Sequence, residues 1–373
     1  MEYQRKLRKN WGIVGHLYYD QYDYDATFVY DYSETETPFI VVNSDIAHAK
    51  SLGGELKLTR TLFEKHDLSV GTEARYDFQQ DQRNYDRDPF NLILDDYRTA
   101  NLWALYLQDD FAVRKDLTLS LGIRHDHYET FGGTTNPRLA LIYHPFAKTS
   151  LKLLYGGAFR APNAFELYYQ GWGQETNLGL KPETIRTGEV VLEQYIGKRL
   201  RIRASGFQYD LKGVISQQTD LTNGLLQYRN IERVKGNGME FEIAGKAALG
   251  IEGRASYTLQ QSENKTIEDV PDNSPQHLAQ INLTVPLVQK KIFAGFDLIY
   301  MSNRRTFTGY QSPGYVLPNL TLFSQRFLKG FEVSTTVYNL FNTNYGDPAD
   351  GSHPEEIIYQ NGRSIRIKVG YHF

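Results

Sequence analysis

The sequence predicts an all-β, membrane-spanning barrel wall of about sixteen antiparallel strands. Three observations carry this. Apolar side chains recur at every second residue. The links between such segments alternate between short and long. No run approaches the roughly 18 apolar residues of a membrane helix.

The period of two is clearest at the end of the chain, where Ile365, Ile367, Val369 and Tyr371 alternate with Arg366, Lys368 and Gly370. Leu68–Gln79, Leu117–Arg124 and Ile251–Gln260 read the same way. The strand spans in order are 11–32, 47–62, 68–80, 97–113, 117–129, 136–146, 150–160 and 185–196, then 200–215, 226–246, 251–261, 273–287, 291–304, 314–328, 331–344 and 356–373. In the first span the apolar phase changes near Asp20–Gln21, from Trp11, Ile13 and Leu17 to Tyr22, Tyr24 and Phe28. A bulge in one strand and a turn between two both fit. The single strand preserves the alternation of links.

The short links are polar turns, among them Phe63–Asp67, Arg114–Asp116, Ala147–Thr149 and Gly197–Arg199. The long ones include Ser33–Ile46, Asp81–Asp96, Ala161–Thr184 and Ser262–Asp272. A soluble sandwich has no reason to sort loops by parity. An outer-membrane barrel does, with short turns on the periplasmic side and long loops outside. Arg201 and Arg203 would then point into the lumen and Ile202 into lipid, where an arginine costs about 2–4 kcal/mol at the midplane.

Composition narrows the function. With 41 Lys+Arg against 44 Asp+Glu there is no basic field for nucleic acid. The chain has no cysteine, so disulfide scaffolds and cysteine-held zinc drop out. The 27 Tyr and 20 Phe suit aromatic girdles and equally suit strands in general.

Several motifs then resemble the barrel of TonB-dependent outer-membrane receptors. Gly156-Gly-Ala-Phe-Arg-Ala-Pro162, Phe165-Glu-Leu-Tyr-Tyr169 and Asn177-Leu-Gly-Leu-Lys-Pro-Glu183 are similar to the family's FRAP…EL…NP-x-LKPE stretch, with Leu178 in place of its proline. Asn230 with Gly238-Met-Glu-Phe-Glu242, and Tyr338-Asn-Leu-Phe-Asn342 with Tyr345-Gly-Asp-Pro348, follow in family order. The final strand closes on Phe373, which resembles the signal read by the barrel-assembly machinery.

The resemblance implies energised import of a scarce ligand, a ferric siderophore or cobalamin, with outer-membrane lipid around the wall and no bond chemistry or cofactor in it. The family also carries a plug domain, through which the TonB complex acts, and roughly 22 strands. Residues 1–373 therefore read as a partial barrel without plug, from a truncated frame or a fragment. Its first strand, Gly12–Tyr19, would have lost its earlier neighbour, and the wall would close poorly by itself. A passive porin-type channel of sixteen strands is the alternative. For ligand contact the resemblance points to the long loops: Tyr168, Tyr169 and Trp172, with Tyr85, Arg83 and Arg87 behind. Aromatic planes stack on catecholate or corrin groups, and arginine suits anionic ligands. The competing reading is that these residues only pack the loops.

Other constellations carry less. His125-x-His127 has ligand spacing but follows the outward apolar phase, so no metal is assigned to it. Asp20, Asp23 and Asp25 lack calcium-loop spacing. Serine-hydrolase, metalloprotease and P-loop motifs do not occur.

Overall fold

The structure, a computed structural model, describes residues 1–7, 10–31, 33, 39–171, 173–288, 291–328, 330–349 and 353–372, with the backbone alone for 325–328. In chain order the elements begin with β1 (Glu2–Lys6), β2 (Trp11–Asp31), β3 (Ile40–Leu62), β4 (His66–Arg87) and β5 (Phe90–Arg114). Next come β6 (Leu117–Tyr128), β7 (Gly132–Phe146), β8 (Thr149–Arg160), the short helix α1 (Ala164–Tyr168) and β9 (Gln174–Glu175). Then follow β10 (Glu183–Ile196), β11 (Leu200–Thr219), β12 (Leu226–Lys246), β13 (Glu252–Asn264), β14 (His277–Val288) and β15 (Ile292–Met301). The rest are β16 (Arg304–Arg305), β17 (Gln311–Ser312), β18 (Tyr315–Leu328), β19 (Phe331–Tyr338), β20 (Gly346–Pro348), β21 (Ile357–Tyr359) and β22 (Ser364–Tyr371). Every one of the sixteen predicted spans holds a strand.

The chain forms two units. One comprises Met1–Leu141, Leu154–Arg186 and Leu211–Arg233; the other comprises Ile142–Leu153, Thr187–Asp210 and Val234–Phe373.

In the first unit β2 to β6 form an antiparallel meander. One face is apolar and exposed: Leu17, Leu52, Leu56, Val70, Leu105, Leu107 and Ile123. An outer-membrane barrel turns a face of this kind outward. On β2 it runs from Trp11 to Tyr19, close to the roughly 9–11 residues that cross a bilayer. Tyr19, Tyr76 and Phe78 edge it with ring contacts of 6.3 Å. The opposite face is a polar network. Glu73 accepts from Tyr18 at 3.3 Å and from Arg124 at 2.7 Å, and Tyr106 donates to Glu55 at 2.5 Å. The Tyr106 ring lies over Gly71, where an added Cβ would sit 2.2 Å from it. Glycine is what admits the ring. The Phe63–Lys65 turn adjoins the β5–β6 end, since Ala112 N donates to Lys65 O at 2.7 Å.

Three expectations are corrected here. First, Gly12 is not an unpaired edge. β1 pairs with it, from Glu2↔His16 to Lys6↔Gly12. The sequence hides β1 because all its residues are exposed and none alternates in polarity. Second, no bulge lies near Asp20. The β2–β3 register runs unbroken from Trp11↔Arg60 to Asp31↔Ile40. The bulge is on β4 instead, where Lys50 faces Gln79 and Ser51 faces Asp77, leaving Phe78 over. Third, Ile40–Ile46 and all of Asp81–Asp96 except Asp88 and Pro89 are strand, not loop. Beyond the apolar belt neither face is consistently apolar, so the polarity alternation that marks a strand disappears.

In the second unit β13, β14, β15, β18, β19 and β22 pair in turn, all antiparallel. Glu242 on β12 accepts from Arg254 at 2.5 Å and also pairs with Arg201. Ile202, Phe241, Ile243 and Tyr257 are exposed on the other face, as the arginine argument requires. On β22 Ile365, Ile367 and Val369 are exposed, while Arg366 lies 5.5 Å from the Tyr338 ring. The short turns adjoin their neighbours: Tyr195 N donates to Lys148 O at 2.8 Å, and Lys246 N to Arg199 O at 3.0 Å. Phe373 lies outside the described residues.

Candidate functional site

Above the apolar belt of the first unit, the polar face changes character. On β2 it presents Tyr22, Tyr24, Phe28 and Tyr30, on the same face as Tyr18 because strand residues two apart share a face. The unbroken register sets them against Ala49, Ala47, Asn43 and Val41. Tyr22 is 57% exposed, Phe28 and Tyr30 are exposed, and Tyr24 is half-buried. Phe28 and Tyr30 stack with centroids 6.0 Å apart. This row is the phase change seen in the sequence. The backbone does not shift; the aromatic residues move to the other face.

Neighbouring strands add a buried amide and carboxylate ladder. Asn43 donates to Asn84 at 2.8 Å and to Asp86 at 2.9 Å. The long loop after β8 folds onto this ladder. Gln82 donates to Ala164 O at 3.1 Å and Asn84 to the Tyr169 hydroxyl at 2.8 Å. The Arg98 guanidinium lies 3.7 Å from the Tyr168 ring centroid, a stacking contact. Leu167, Leu180 and Ile215 form a small apolar core beneath, against which Tyr168 and Tyr228 pack. Burial holds the Tyr169 hydroxyl well above its ordinary pKa.

The loop is held at its base by the residues that carry the family resemblance. Arg160 donates to Glu166 at 2.9 Å and to Glu183 at 2.6 Å. Glu166 also closes a capping box with Asn163, accepting from its N–H at 2.9 Å while Asn163 Oδ1 accepts from Glu166 N at 2.8 Å. Glu183 accepts from Ile215 N at 2.8 Å. Asn230 donates to Lys181 O and Gly213 O, both at 2.8 Å. In the second unit Asn339 and Thr343 exchange bonds of 2.8 Å in a tight turn. Asp347 meets the buried Arg304 at 2.9 Å. Arg160, Glu166, Glu183, Asn230 and Asn339 in these motifs brace loops.

Of the predicted contact residues, Tyr168 and Tyr169 sit together on the polar face, and Trp172 lies outside the described residues. Arg83, Tyr85 and Arg87 do not join them. The bulge at Phe78 shifts the phase of β4, so Gln82, Asn84 and Asp86 take the polar face and these three the other. There Arg83 stands 3.6 Å from Asp95 and covers Tyr85, and Arg87 donates to Ser44 at 2.7 Å and Thr27 at 3.0 Å. The sequence reading missed Tyr22, Tyr24, Phe28, Tyr30 and Arg98; the phase change at Asp20–Gln21 was the available signal. His125 and His127 flank the Trp103 ring at 5.6 and 5.3 Å. Among the described residues no group of three or more His, Asp or Glu could hold a metal.

Comparison with known proteins fits this geometry. An iron-regulated outer membrane virulence protein of Vibrio cholerae is 24% identical over 337 residues, covering 80% of this chain and 50% of that protein. The vitamin B12 transporter BtuB of Vibrio cholerae is 25% identical over 267 residues, covering 68% of this chain and 40% of its own. The chain spans about half the length of the curated relatives it matches. Among solved structures, the pyoverdine receptor FpvA of Pseudomonas aeruginosa PAO1 shares the fold with a TM-score of 0.80 at 17% identity, over 100% of this chain and 60% of that one. The family model described as "TonB dependent receptor-like, beta-barrel" matches residues 1–340. The chain belongs to the family of TonB-dependent receptor-like β-barrels, proteins of the bacterial outer membrane.

Proposed function

We propose that this chain is wall and outer face of a receptor that imports a scarce ligand, a ferric siderophore or cobalamin, with energy delivered by the TonB complex. The observation that carries this is the infolded 161–182 loop, fixed by Arg160 and docked through Tyr168 and Tyr169 beside an exposed aromatic row. A passive channel needs a polar face open to solutes; this one is dressed for contact. The passive porin reading is therefore second.

The wall itself is assigned no bond chemistry. TonB engagement belongs to the plug of the whole receptor. The exposed apolar faces meet outer-membrane lipid, and Phe373 is assigned to recognition by the barrel-assembly machinery.

The test is accumulation of radiolabelled ferric chelate or cobalamin by cells carrying the receptor, with and without TonB. Uptake of one of them that stops without TonB is expected. Entry of small sugars at equal rates in both strains would favour the porin.

A further inference from the structure

The charge around the aromatic row bears on which ligand it takes. Four arginines on the polar face of the first unit are already matched. Arg98 meets Asp96 at 2.7 Å, Arg75 meets Asp77 at 2.9 Å, and Arg160 meets both Glu166 and Glu183. Arg124 lies between Glu73 and Asp126. Among the described residues no ion pair reaches Asp20, Asp45 or Asp86. Asp86 is held by the Asn43 and Asn91 amides, and Asp45 faces Ala26, inside the row. The two arginines that would have welcomed an anion, Arg83 and Arg87, lie on the opposite face. The face beside Tyr22, Tyr24, Phe28 and Tyr30 is thus net acidic.

An acidic surface repels an anion over the Debye length and attracts a cation. Exposed tyrosine faces favour cations and flat apolar rings. We propose that the Tyr22–Tyr30 row binds a metal chelate of zero or positive net charge, and that this face discriminates against the trianionic ferric triscatecholates. The inference rests on the uptake reading above and names its ligand class. Two sources share this chemistry: a ferric trishydroxamate with a free ammonium, and a corrinoid.

The experiment uses the full chain in neutral detergent micelles. Equilibrium dialysis compares a ferric trishydroxamate carrying one ammonium, cyanocobalamin and a ferric triscatecholate. At low salt, at least one of the first two should bind about tenfold or more tightly than the triscatecholate. Which of them binds identifies the source. The gap should shrink in 0.5 M salt, where the Debye length falls to about 4 Å. It should also shrink in the Asp20→Asn, Asp45→Asn double variant. Tyr24→Ala should weaken the preferred chelate about tenfold, and Arg83→Ala should leave it unchanged. Retention of the compact band on unheated gels checks that each variant is folded. Equal or tighter binding of the triscatecholate by the unmodified chain would overturn the inference and leave the uptake reading standing. Binding of none of the three chelates at millimolar concentration would overturn both.

Discussion

Arg160 Nη2 donates to Glu183 Oε1 at 2.6 Å and so closes the base of the 161–182 loop, joining the end of β8 to the start of β10. Its other arm holds Glu166, the residue that caps α1. One guanidinium therefore ties both ends of the loop to its helix.

Arg160→Ala should free that loop while the wall persists. The cost should be about 1–2 kcal/mol, since two carboxylates lose their partner but the site is partly open to water. Hydrogen exchange across 163–181 is the measurement. At least tenfold faster exchange there, with β2–β5 unchanged, is expected; uniform change would mean the clamp is not local.

A second loop, after β11, is pinned by Asp220, which accepts from Thr222 N at 2.8 Å and pairs with Arg229. The Thr222 hydroxyl and N–H, followed by Arg229, hold its carboxyl down at about 2. A lowered carboxyl stabilises at pH above its unfolded value, near 4, and loses this as pH falls through the folded one. The order of residues 219–226 should thus be flat above pH 5 and decay between about 4 and 2. Asp220→Asn should remove that acid step in exchange rates; its persistence would assign the step elsewhere.

The tyrosine over glycine on β4 and β5 gives a folding test. Gly71→Val places atoms where the Tyr106 ring lies, against a Cβ approach of 2.2 Å. Overpacking of this kind costs about 1–3 kcal/mol. The denaturation midpoint should fall, and adding Tyr106→Ala should restore part of it. No recovery in the double variant would show the glycine serves another purpose.

How much of this was legible in the sequence follows the lipid. Where one face is apolar throughout, as at Leu102–Gln108, alternation is enforced and strand and face could be read. Above the belt that pressure ends, so β4 past Gln80 read as loop, and one extra residue at Phe78 inverted the faces of Arg83, Tyr85 and Arg87. A bulge has no fixed sequence mark. The opposite error came at Asp20, where residue types changed face and the backbone did not. Motif residues such as Arg160 and Asn230 were visible, but whether they touch ligand or brace a loop depends on partners such as Glu183 and Gly213, brought near by folding.

The two faces make a further prediction. Leu105→Arg, on the exposed apolar face, should destabilise the wall by about 2–4 kcal/mol in lipid vesicles. Gln108→Arg on the polar face, beside Asp110 at 3.1 Å, should cost far less. Urea unfolding in vesicles measures both. Equal penalties would mean the faces are assigned wrongly.

The most direct test is uptake of labelled ligand by cells carrying the receptor, compared for Tyr24→Ala and Arg83→Ala with and without TonB. Uptake that requires TonB, falls about tenfold with Tyr24→Ala and is unmoved by Arg83→Ala is the predicted result. Entry without TonB, or loss with Arg83→Ala while Tyr24→Ala is silent, would contradict it.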